Sequence, residues 1–264
     1  MRTKELIWGG IGLVAVYGVG RNFMRRIDNA TLDEGVTGGV KVLLSERRAK
    51  AKATWEGDKE KTKEVINNPS KATLFVSNHP STLEPFMLLA SLPPKKDLSI
   101  IGDAGARQVF GRNFRKNFIP VEQQPRWETR KQKQQRRERN NKSLDEAVEK
   151  LQYHKSILIA PDGGDGSGDW KKGSSKLIES ALAMPEAYLI MAHIPDSTPN
   201  EHWNLVFKRK MKRHVRISEP VNIQNLPIPE EIKQMPQGDK EKLLFIGRTM
   251  KDYYNTWATK PNNN

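Results

Sequence analysis

Residues 73–89 read Thr-Leu-Phe-Val-Ser-Asn-His-Pro-Ser-Thr-Leu-Glu-Pro-Phe-Met-Leu-Leu. The apolar run at 74–76 is typical of a buried strand, and the run at 85–92 is typical of an apolar helix. His79 lies between the two runs, and Glu84 follows it five positions later. A histidine and a carboxylate at a strand-to-helix turn can act as a base and its orienting partner. The stretch therefore predicts an α/β unit with a catalytic candidate at its turn.

The spacing alone is weak evidence, because the chain contains five histidines and 31 acidic residues. His214 and Glu219 repeat it in His-Val-Arg-Ile-Ser-Glu. Polar and apolar residues alternate there, as in a half-buried strand, and residues five apart on a strand point to opposite faces. We therefore expect His214 to be structural or solvent-facing.

The context of His79 is more favourable to catalysis. Asn78 could cap the following helix, Pro80 suits its first position, and Ser81 also favours such a turn. Glu84 would then lie about one turn into the helix and could reach back to the imidazole. A carboxylate on one ring nitrogen fixes the tautomer and stabilises the imidazolium. The alternative is a histidine that only caps a helix.

Composition limits the class of protein. At 264 residues with 36% hydrophobic residues, the chain is most simply one domain with an extension. The absence of cysteine excludes a disulfide framework, a cysteine-ligated zinc site and a thiol nucleophile. The net charge of +14 favours an anionic partner such as nucleic acid, anionic lipid or a phosphorylated cofactor.

The N-terminus favours lipid. Residues 6–19 are uncharged and are followed by Arg21, Arg25 and Arg26. The segment is shorter than the roughly 20 residues of a full span, so a tilted or marginal membrane helix, a secretory signal, an interfacial anchor and a buried helix all remain open. Arginines directly after the apolar core favour a retained anchor at 1–30, with the rest of the chain on the cytoplasmic side.

The remaining patterns predict an α/β domain. We expect a break at 35–39 and a mostly charged helix at 40–65 with an interruption near Gly57-Asp58, so that residues 31–70 form a charged helical linker. Strands are predicted at 73–77, 98–103, 118–121, 156–160, 188–193, 204–207 and 214–217, and further helices at 85–92, 144–153, 174–183 and 239–257. Ser143 and Glu146 would form the capping box of the second of these helices. The alternation predicts a central, mostly mixed β-sheet covered by helices over residues 71–264.

A basic insert interrupts this domain at residues 125–142. Its cations are Arg126, Arg130, Lys131, Lys133, Arg136, Arg137, Arg139 and Lys142. The insert is either a solvated helix or loop, or a surface for anionic lipid headgroups, with about 1 kcal/mol for each basic residue near the membrane. Nucleic acid could use the same charges, but Trp127 is the segment's single aromatic residue, so stacking platforms are missing.

Together these features resemble the glycerolipid acyltransferase family, which includes lysophosphatidic-acid and glycerol-3-phosphate acyltransferases and tafazzin. The family's Asn-His-x4-Asp block is matched by Asn78, His79 and Glu84. Its second block is matched by Phe110-Gly111 and then Asn-Phe-Ile-Pro-Val-Glu-Gln at 117–123. The third is matched by Pro-Asp-Gly-Gly-Asp-Gly at 161–166 with Trp-Lys-Lys-Gly at 170–173, and the fourth loosely by residues 188–195.

The resemblance spans residues 74–195 and implies a chemistry. His79 would deprotonate an acceptor hydroxyl that attacks the thioester of acyl-CoA or an acyl carrier protein, and Glu84 would orient His79. Backbone N–H groups near the helix start or at Gly163 would receive the oxyanion. No metal, resident cofactor or covalent intermediate is required. The expected substrate-binding residues are Asn78, Ser81, Gln123, Arg126, Asp162, Gly163, Gly164, Lys171, Lys172 and Gly173.

Departures from the family pattern concern the phosphate of the acceptor. Gln123 and Asp165 stand where the family has arginines, and neither can replace a bidentate guanidinium. Asp162 also shortens the family's glutamate. Either the acceptor is not a small phosphomonoester, or other cations such as Arg126 and Arg130 hold the phosphate. Residues 162–166 lack the ligand pattern of an EF-hand calcium loop.

The sequence therefore predicts a membrane-associated O-acyltransferase that acts on a lysophospholipid or related lipid acceptor. Its expected partners are membrane lipids, the anionic bilayer surface and acyl-CoA or an acyl carrier protein, and nucleic acid is not expected. The alternatives are a catalytically weak or inactive relative that binds lipid, and a basic nucleic-acid-binding protein.

Overall fold

The structure is a computed structural model, and it describes residues 21–46, 48–78, 84–104, 111–125, 127–162, 170–195 and 211–260. For Arg21, Asn22, Glu84 and Met211 it describes the backbone alone. The predicted N-terminal anchor core at 6–19 and the predicted strand at 204–207 lie outside these ranges.

Helices and strands alternate along most of the described chain. The helices are α1 (Arg21–Glu34), α2 (Val36–Glu46), α3 (Lys59–Asn67), α4 (Glu84–Ser91), α5 (Arg112–Lys116), α6 (Arg130–Gln152), α7 (Lys172–Leu182), α8 (Glu230–Lys233) and α9 (Lys240–Thr259). The strands are β1 (Ala49–Trp55), β2 (Ala72–Ser77), β3 (Leu98–Asp103), β4 (Phe118–Val121), β5 (Ser156–Ile159), β6 (Ala187–His193), β7 (Met211–Ile217) and β8 (Val221–Asn222). A short 3-10 helix follows at Ile223–Asn225.

In the described part of the chain the strands form one mixed sheet of eight strands, ordered β1-β7-β6-β2-β5-β3-β4, with β8 beside β6. Strands β2 to β6 are parallel to their neighbours among themselves, whereas β7 runs antiparallel to β6. The carboxyl ends of β2, β3, β4, β5 and β6 therefore meet at one edge of the sheet, which we call the carboxyl edge.

Strand β2 lies at the centre of the core, and all of its residues are buried. Phe75 packs into the apolar cluster formed with α1, α2, α4 and α5, while Leu74 and Val76 pack into the cluster formed with α6, α7 and α9. Because successive strand residues point to opposite faces, one strand supplies both clusters. The predicted α/β fold, with a mixed central sheet covered by helices, is confirmed.

The predicted break at 35–39 is wrong beyond its first residue. Gly35 turns the chain with φ +76°, but Gly38 and Gly39 lie inside α2. A Cβ built at Gly39 would lie 2.1 Å from Oγ1 of Thr31 on α1. These glycines therefore allow the two helices to approach closely. This close packing offsets the loss of stability that glycine causes inside a helix.

The predicted charged helix at 40–65 is wrong at Ala49–Trp55, which is β1. This strand pairs in parallel with β7 along its full length, from Ala49 opposite Met211 to Trp55 opposite Ile217. Alternate alanines face the core and alternate lysines face solvent, a period of two. The segment predicted as a linker thus contributes helices and a strand to the sheet domain.

The predicted helix at 144–153 begins earlier than expected. It is the last part of α6, which starts at Arg130 with Thr129 as its N-cap and Gln132 completing a capping box. Ser143 is not a cap, and its hydroxyl instead donates to the carbonyl of Pro120, 2.6 Å away. Strong helix formers in the basic insert carry the helix through this position.

Helix α1 is tied to the rest of the domain. The Asp28 carboxylate accepts a 2.7 Å hydrogen bond from the backbone N–H of Asn113 in α5. Ile27 and Val36 are buried in the same cluster as Phe75. Among the described helices, none is both long and apolar enough to cross a bilayer.

Candidate active site

The predicted site residues that the structure describes lie at or near the carboxyl edge. Asn78 directly follows β2, and Asp162 follows β5 in the turn after Pro161. Because β2 and β5 are hydrogen-bonded neighbours, these two residues leave the sheet side by side. Polar side chains at the ends of adjacent parallel strands are the usual location of a ligand site in an open α/β sheet.

Asn78 is held in place by the backbone that follows β6. Its Nδ2 donates to the carbonyl of Ile194 at 2.8 Å, and its Oδ1 accepts from the N–H of Ile194 at 2.9 Å. These two hydrogen bonds thus continue the pairing of β2 with β6 by one more residue. Asn78 was predicted to bind substrate, but its carboxamide is engaged with the backbone, which makes it a positioning residue for the chain that follows.

Tyr254 of α9 completes this junction. Its hydroxyl donates to the carbonyl of Ala192 at 2.7 Å and accepts from the N–H of Asn78 at 3.1 Å. Nδ1 of His193 lies 3.3 Å from the same oxygen. Since the phenol has one proton and directs it to Ala192, a hydrogen bond at this distance requires the proton to be on Nδ1 of His193.

Burial raises the pKa of the Tyr254 phenol well above its ordinary value, and the nearby Asp162 carboxylate raises it further against the opposing effect of the Asn78 N–H. The phenol therefore stays neutral over the pH range in which the protein is folded. Its hydroxyl stabilises the fold through hydrogen bonds and does not act as a base. Sequence reasoning missed Tyr254 and His193, because nothing local marks a tyrosine that meets Asn78 across 176 positions.

The block at 170–173 packs beside the Asp162 turn. The N–H of Lys171 donates to the carbonyl of Pro161 at 2.8 Å, which brings the start of α7 to the carboxyl edge. The side chains of Lys171 and Lys172 are exposed. Gly173 has a packing role, because a Cβ there would lie 2.8 Å from a methyl group of Leu144 in α6. Asn78, Asp162 and Lys171 are thus brought together.

Gln123 is not part of that group. It is exposed just beyond the end of β4, three strands from β2 in the sheet order. Its neighbour Glu122 accepts both arms of the Arg139 guanidinium at 2.6 and 2.7 Å, and these hydrogen bonds lower the pKa of the Glu122 carboxyl. The same carboxyl edge therefore carries a bidentate but solvent-exposed ion pair at the position of the second sequence block.

A cavity of about 550 Å³ opens beside this ion pair. Its lining residues are Ala104, Arg115, Pro120, Glu122, Arg139, Asn140, Lys142, Ser143 and Glu146. Glu122 is paired with Arg139, and Glu146 lies 3.1 Å from the ammonium of Lys150. Neither Arg115 nor Lys142 has an ion-pair partner among the residues that the structure describes. The cavity thus offers two cations to an anionic ligand.

Several predicted site residues fall outside the described ranges. They are His79, Ser81, Arg126, Gly163 and Gly164, together with the side chain of Glu84. Glu84 is the first described residue of α4, and the predicted helix start at Pro80, about one turn earlier, lies outside the described ranges. Residues able to form a metal cluster are not found in the part of the chain that the structure describes.

Comparison with known proteins supports the fold. The structure is similar to the crystal structure of the 1-acyl-sn-glycerophosphate (LPA) acyltransferase PlsC from Thermotoga maritima, with a TM-score of 0.52 over 96% of this chain and 94% of that chain. Sequence identity over the match is 15%. No protein-family model and no curated protein sequence matches the chain. The chain therefore has a glycerolipid acyltransferase-like fold.

Proposed function

We propose that this protein is a membrane-associated O-acyltransferase. It would move a fatty acyl group from acyl-CoA or acyl carrier protein to a hydroxyl of a lysophospholipid or related lipid. The observation that carries this proposal is the acyltransferase-like fold in which Asn78, the residue before His79, is fixed at the carboxyl edge beside Asp162.

The proposed chemistry assigns the proton to His79. As the acceptor hydroxyl attacks the thioester carbonyl, His79 takes the hydroxyl proton and Glu84 stabilises the resulting imidazolium. The tetrahedral intermediate collapses by breaking the carbon–sulfur bond, and the proton passes to the departing thiolate. Asn78 would support this role, because its two hydrogen bonds to Ile194 hold the chain immediately before His79 against the sheet.

The cavity suits a phosphate of the acyl donor better than the phosphate of the acceptor. Arg115 and Lys142 line it, and neither has an ion-pair partner among the described residues, so a phosphate ester could bind there without an arginine at Gln123. The cavity lies two to three strands from Asn78, or roughly 10–14 Å at the usual strand spacing. That distance favours a phosphate remote from the reacting hydroxyl, as in the nucleotide part of acyl-CoA.

Association with the membrane belongs to the same proposal. The uncharged segment 6–19 and its flanking arginines would anchor the chain, with the domain on the cytoplasmic side. A lipid acceptor resides in the bilayer, so a chain held at its surface meets substrate without extracting it into water.

Acyl transfer tests the proposal directly. The purified chain is incubated with acyl-CoA and a panel of lysolipids, and free thiol and acylated product are both measured. We expect His79→Ala to lower kcat by about 10²–10⁴-fold, the usual contribution of a positioned general base. His214→Ala is the matched control, since His214 has the same spacing to a glutamate but is exposed on β7.

Equal activity of His79→Ala and His214→Ala would remove the catalytic assignment. Binding of lysolipid without any transfer would instead favour the lipid-binding relative.

A further inference from the structure

We infer that the carboxyl edge docks on an anionic bilayer through two basic projections, one on each side of the candidate site. The first is the N-terminal half of α6, residues 130–142, which we call the basic arm. The second is the part of the β1–β7 pair that extends past β6, which we call the basic ribbon. This inference rests on the proposed function, because it names the surface from which that site would take its lipid.

The basic arm extends beyond the sheet. Asn140 and Ser143 contact Glu122 and Pro120 at the end of β4, and the buried residues of α6, Ala147 and Leu151, follow only after that point. The helix from 143 onward therefore covers the sheet, and residues 130–142 project past the carboxyl edge. At 1.5 Å per residue this projection is about 20 Å long.

The two faces of the arm differ in their ion pairing. Arg136 and Arg139 are paired: Glu128, just before the helix, accepts two hydrogen bonds from Arg136, and Glu122, just after β4, accepts two from Arg139. Arg130, Lys133 and Arg137 follow the spacing i, i+3, i+7 and so share another face. No ion pair of these three is found within the described part of the chain. Glu128 interacts electrostatically with Lys133 and Arg137 without forming an ion pair with either. This face can therefore still bind an external anionic partner.

The basic ribbon follows from strand register. Only the last two residues of β7, Arg216 and Ile217, pair with β6, opposite His193 and Ala192. The earlier residues of β7 pair with β1 alone, so this two-stranded segment continues past the carboxyl edge. Val215 is buried against the core, which leaves the other face of the ribbon to solvent. The exposed lysines of the ribbon are Lys50, Lys52 and Lys212.

The arrangement of these charges favours a bilayer. Strands β7 and β4 are five steps apart in the sheet order, so the projections stand roughly 24 Å apart. A flat anionic surface can contact both at once, and the site lies between them. Trp127, next to the arm, is 86% exposed, and tryptophan is enriched at membrane interfaces.

Vesicle binding of the full chain tests this inference. Phosphatidylcholine vesicles are compared with vesicles of equal parts phosphatidylcholine and phosphatidylglycerol. The arm variant is Arg130→Gln with Lys133→Gln and Arg137→Gln, and the ribbon variant is Lys50→Gln with Lys52→Gln and Lys212→Gln. The control variant is Lys61→Gln with Lys96→Gln and Lys155→Gln, which removes three exposed lysines elsewhere on the domain.

The preference for anionic vesicles is the ratio of the two binding constants, and we expect it to fall at least tenfold in the arm variant and in the ribbon variant. Each exposed basic residue near such a surface strengthens binding about fivefold. The control should change this preference less than threefold. The uncharged segment 6–19 contributes equally to both vesicle types, so it cancels in the ratio.

Equal losses in all three variants would overturn the inference, since a general charge effect would then explain the binding. Unchanged vesicle binding together with lost duplex DNA binding in the arm variant would overturn it in favour of nucleic acid. Acyl transfer to lysolipid in neutral detergent micelles reports the proposed function separately, and the ribbon variant should leave it unchanged.

Discussion

The carboxamide of Asn78 and the backbone of Ile194 exchange two hydrogen bonds, of 2.8 and 2.9 Å, across the ends of β2 and β6. An aspartate has the same shape but cannot donate to the Ile194 carbonyl. In the proposed mechanism this junction sets the direction in which the chain continues into His79. The link is therefore both a stability element and a positioning element.

Asn78→Asp is expected to lower stability by about 1–3 kcal/mol, the cost of leaving a buried acceptor unpaired. It should also lower kcat for acyl transfer by at least tenfold with little change in KM. Urea unfolding and steady-state kinetics measure the two effects. Asn255→Asp on the exposed side of α9 is the control. Unchanged kinetics in a destabilised Asn78→Asp protein would make the junction purely structural.

Tyr254 predicts a pH dependence with a definite sign. Burial raises its folded-state pKa above the ordinary value of 10.0, so the folded state retains the phenolic proton longer than the unfolded state. Stability is thus fully present below pH 10 and falls as pH rises above it, by up to about 1.4 kcal/mol per pH unit. Tyr254→Phe should be less stable near pH 8, because it lacks the hydroxyl that bonds to Ala192, Asn78 and His193, and the deficit should shrink above pH 10. A constant deficit across this range, measured by urea unfolding, would contradict the argument.

Substitutions in the cavity should change the KM for one of the two substrates only. Arg115→Gln with Lys142→Gln should raise the KM for acyl-CoA by about tenfold, since each charge-assisted hydrogen bond contributes roughly 1.5–3 kcal/mol before solvent screening. KM for the lipid acceptor and kcat should stay the same. Lys96→Gln with Lys155→Gln is the charge-matched control. A rise in the acceptor's KM alone would instead place the acceptor headgroup in the cavity.

Gly39 predicts a steric coupling between α1 and α2. A Cβ at this position would meet Oγ1 of Thr31 at 2.1 Å, so Gly39→Ala should destabilise the protein by about 1–3 kcal/mol. Thr31→Ala removes that oxygen and should recover part of the loss in the double variant. Additive effects of the two substitutions on the unfolding free energy would mean that the contact does not control the packing.

The parallel strands were predictable because each is a short, largely apolar run between turn residues, as at Leu98–Asp103 and Phe118–Val121. Strand β1 differs from the predicted helix because alanine and lysine are strong helix formers, whereas their alternation has the period of two of a strand. Pairing with β7 decides its structure, and pairing is a property of the whole chain.

The site was predictable where motif residues follow strands and not where distant residues meet. Asn78 and Asp162 were found in ordered blocks, and the parallel sheet places them side by side. Tyr254 comes from the C-terminal helix and His193 from the end of β6, and only the fold brings their side chains to Asn78. Arg115 and Lys142 likewise share a cavity only because α5 and α6 flank the same strand end.

The tie between Asp28 and Asn113 has a consequence for how the domain would sit at a membrane. Helix α1, the first described element after segment 6–19, is fastened to α5 and buried in the core rather than serving as a spacer. An anchor at 6–19 would therefore be joined to the domain by almost no flexible linker. The domain would then sit at a fixed height and tilt relative to the bilayer, and inserting residues at position 20 would relax this restraint.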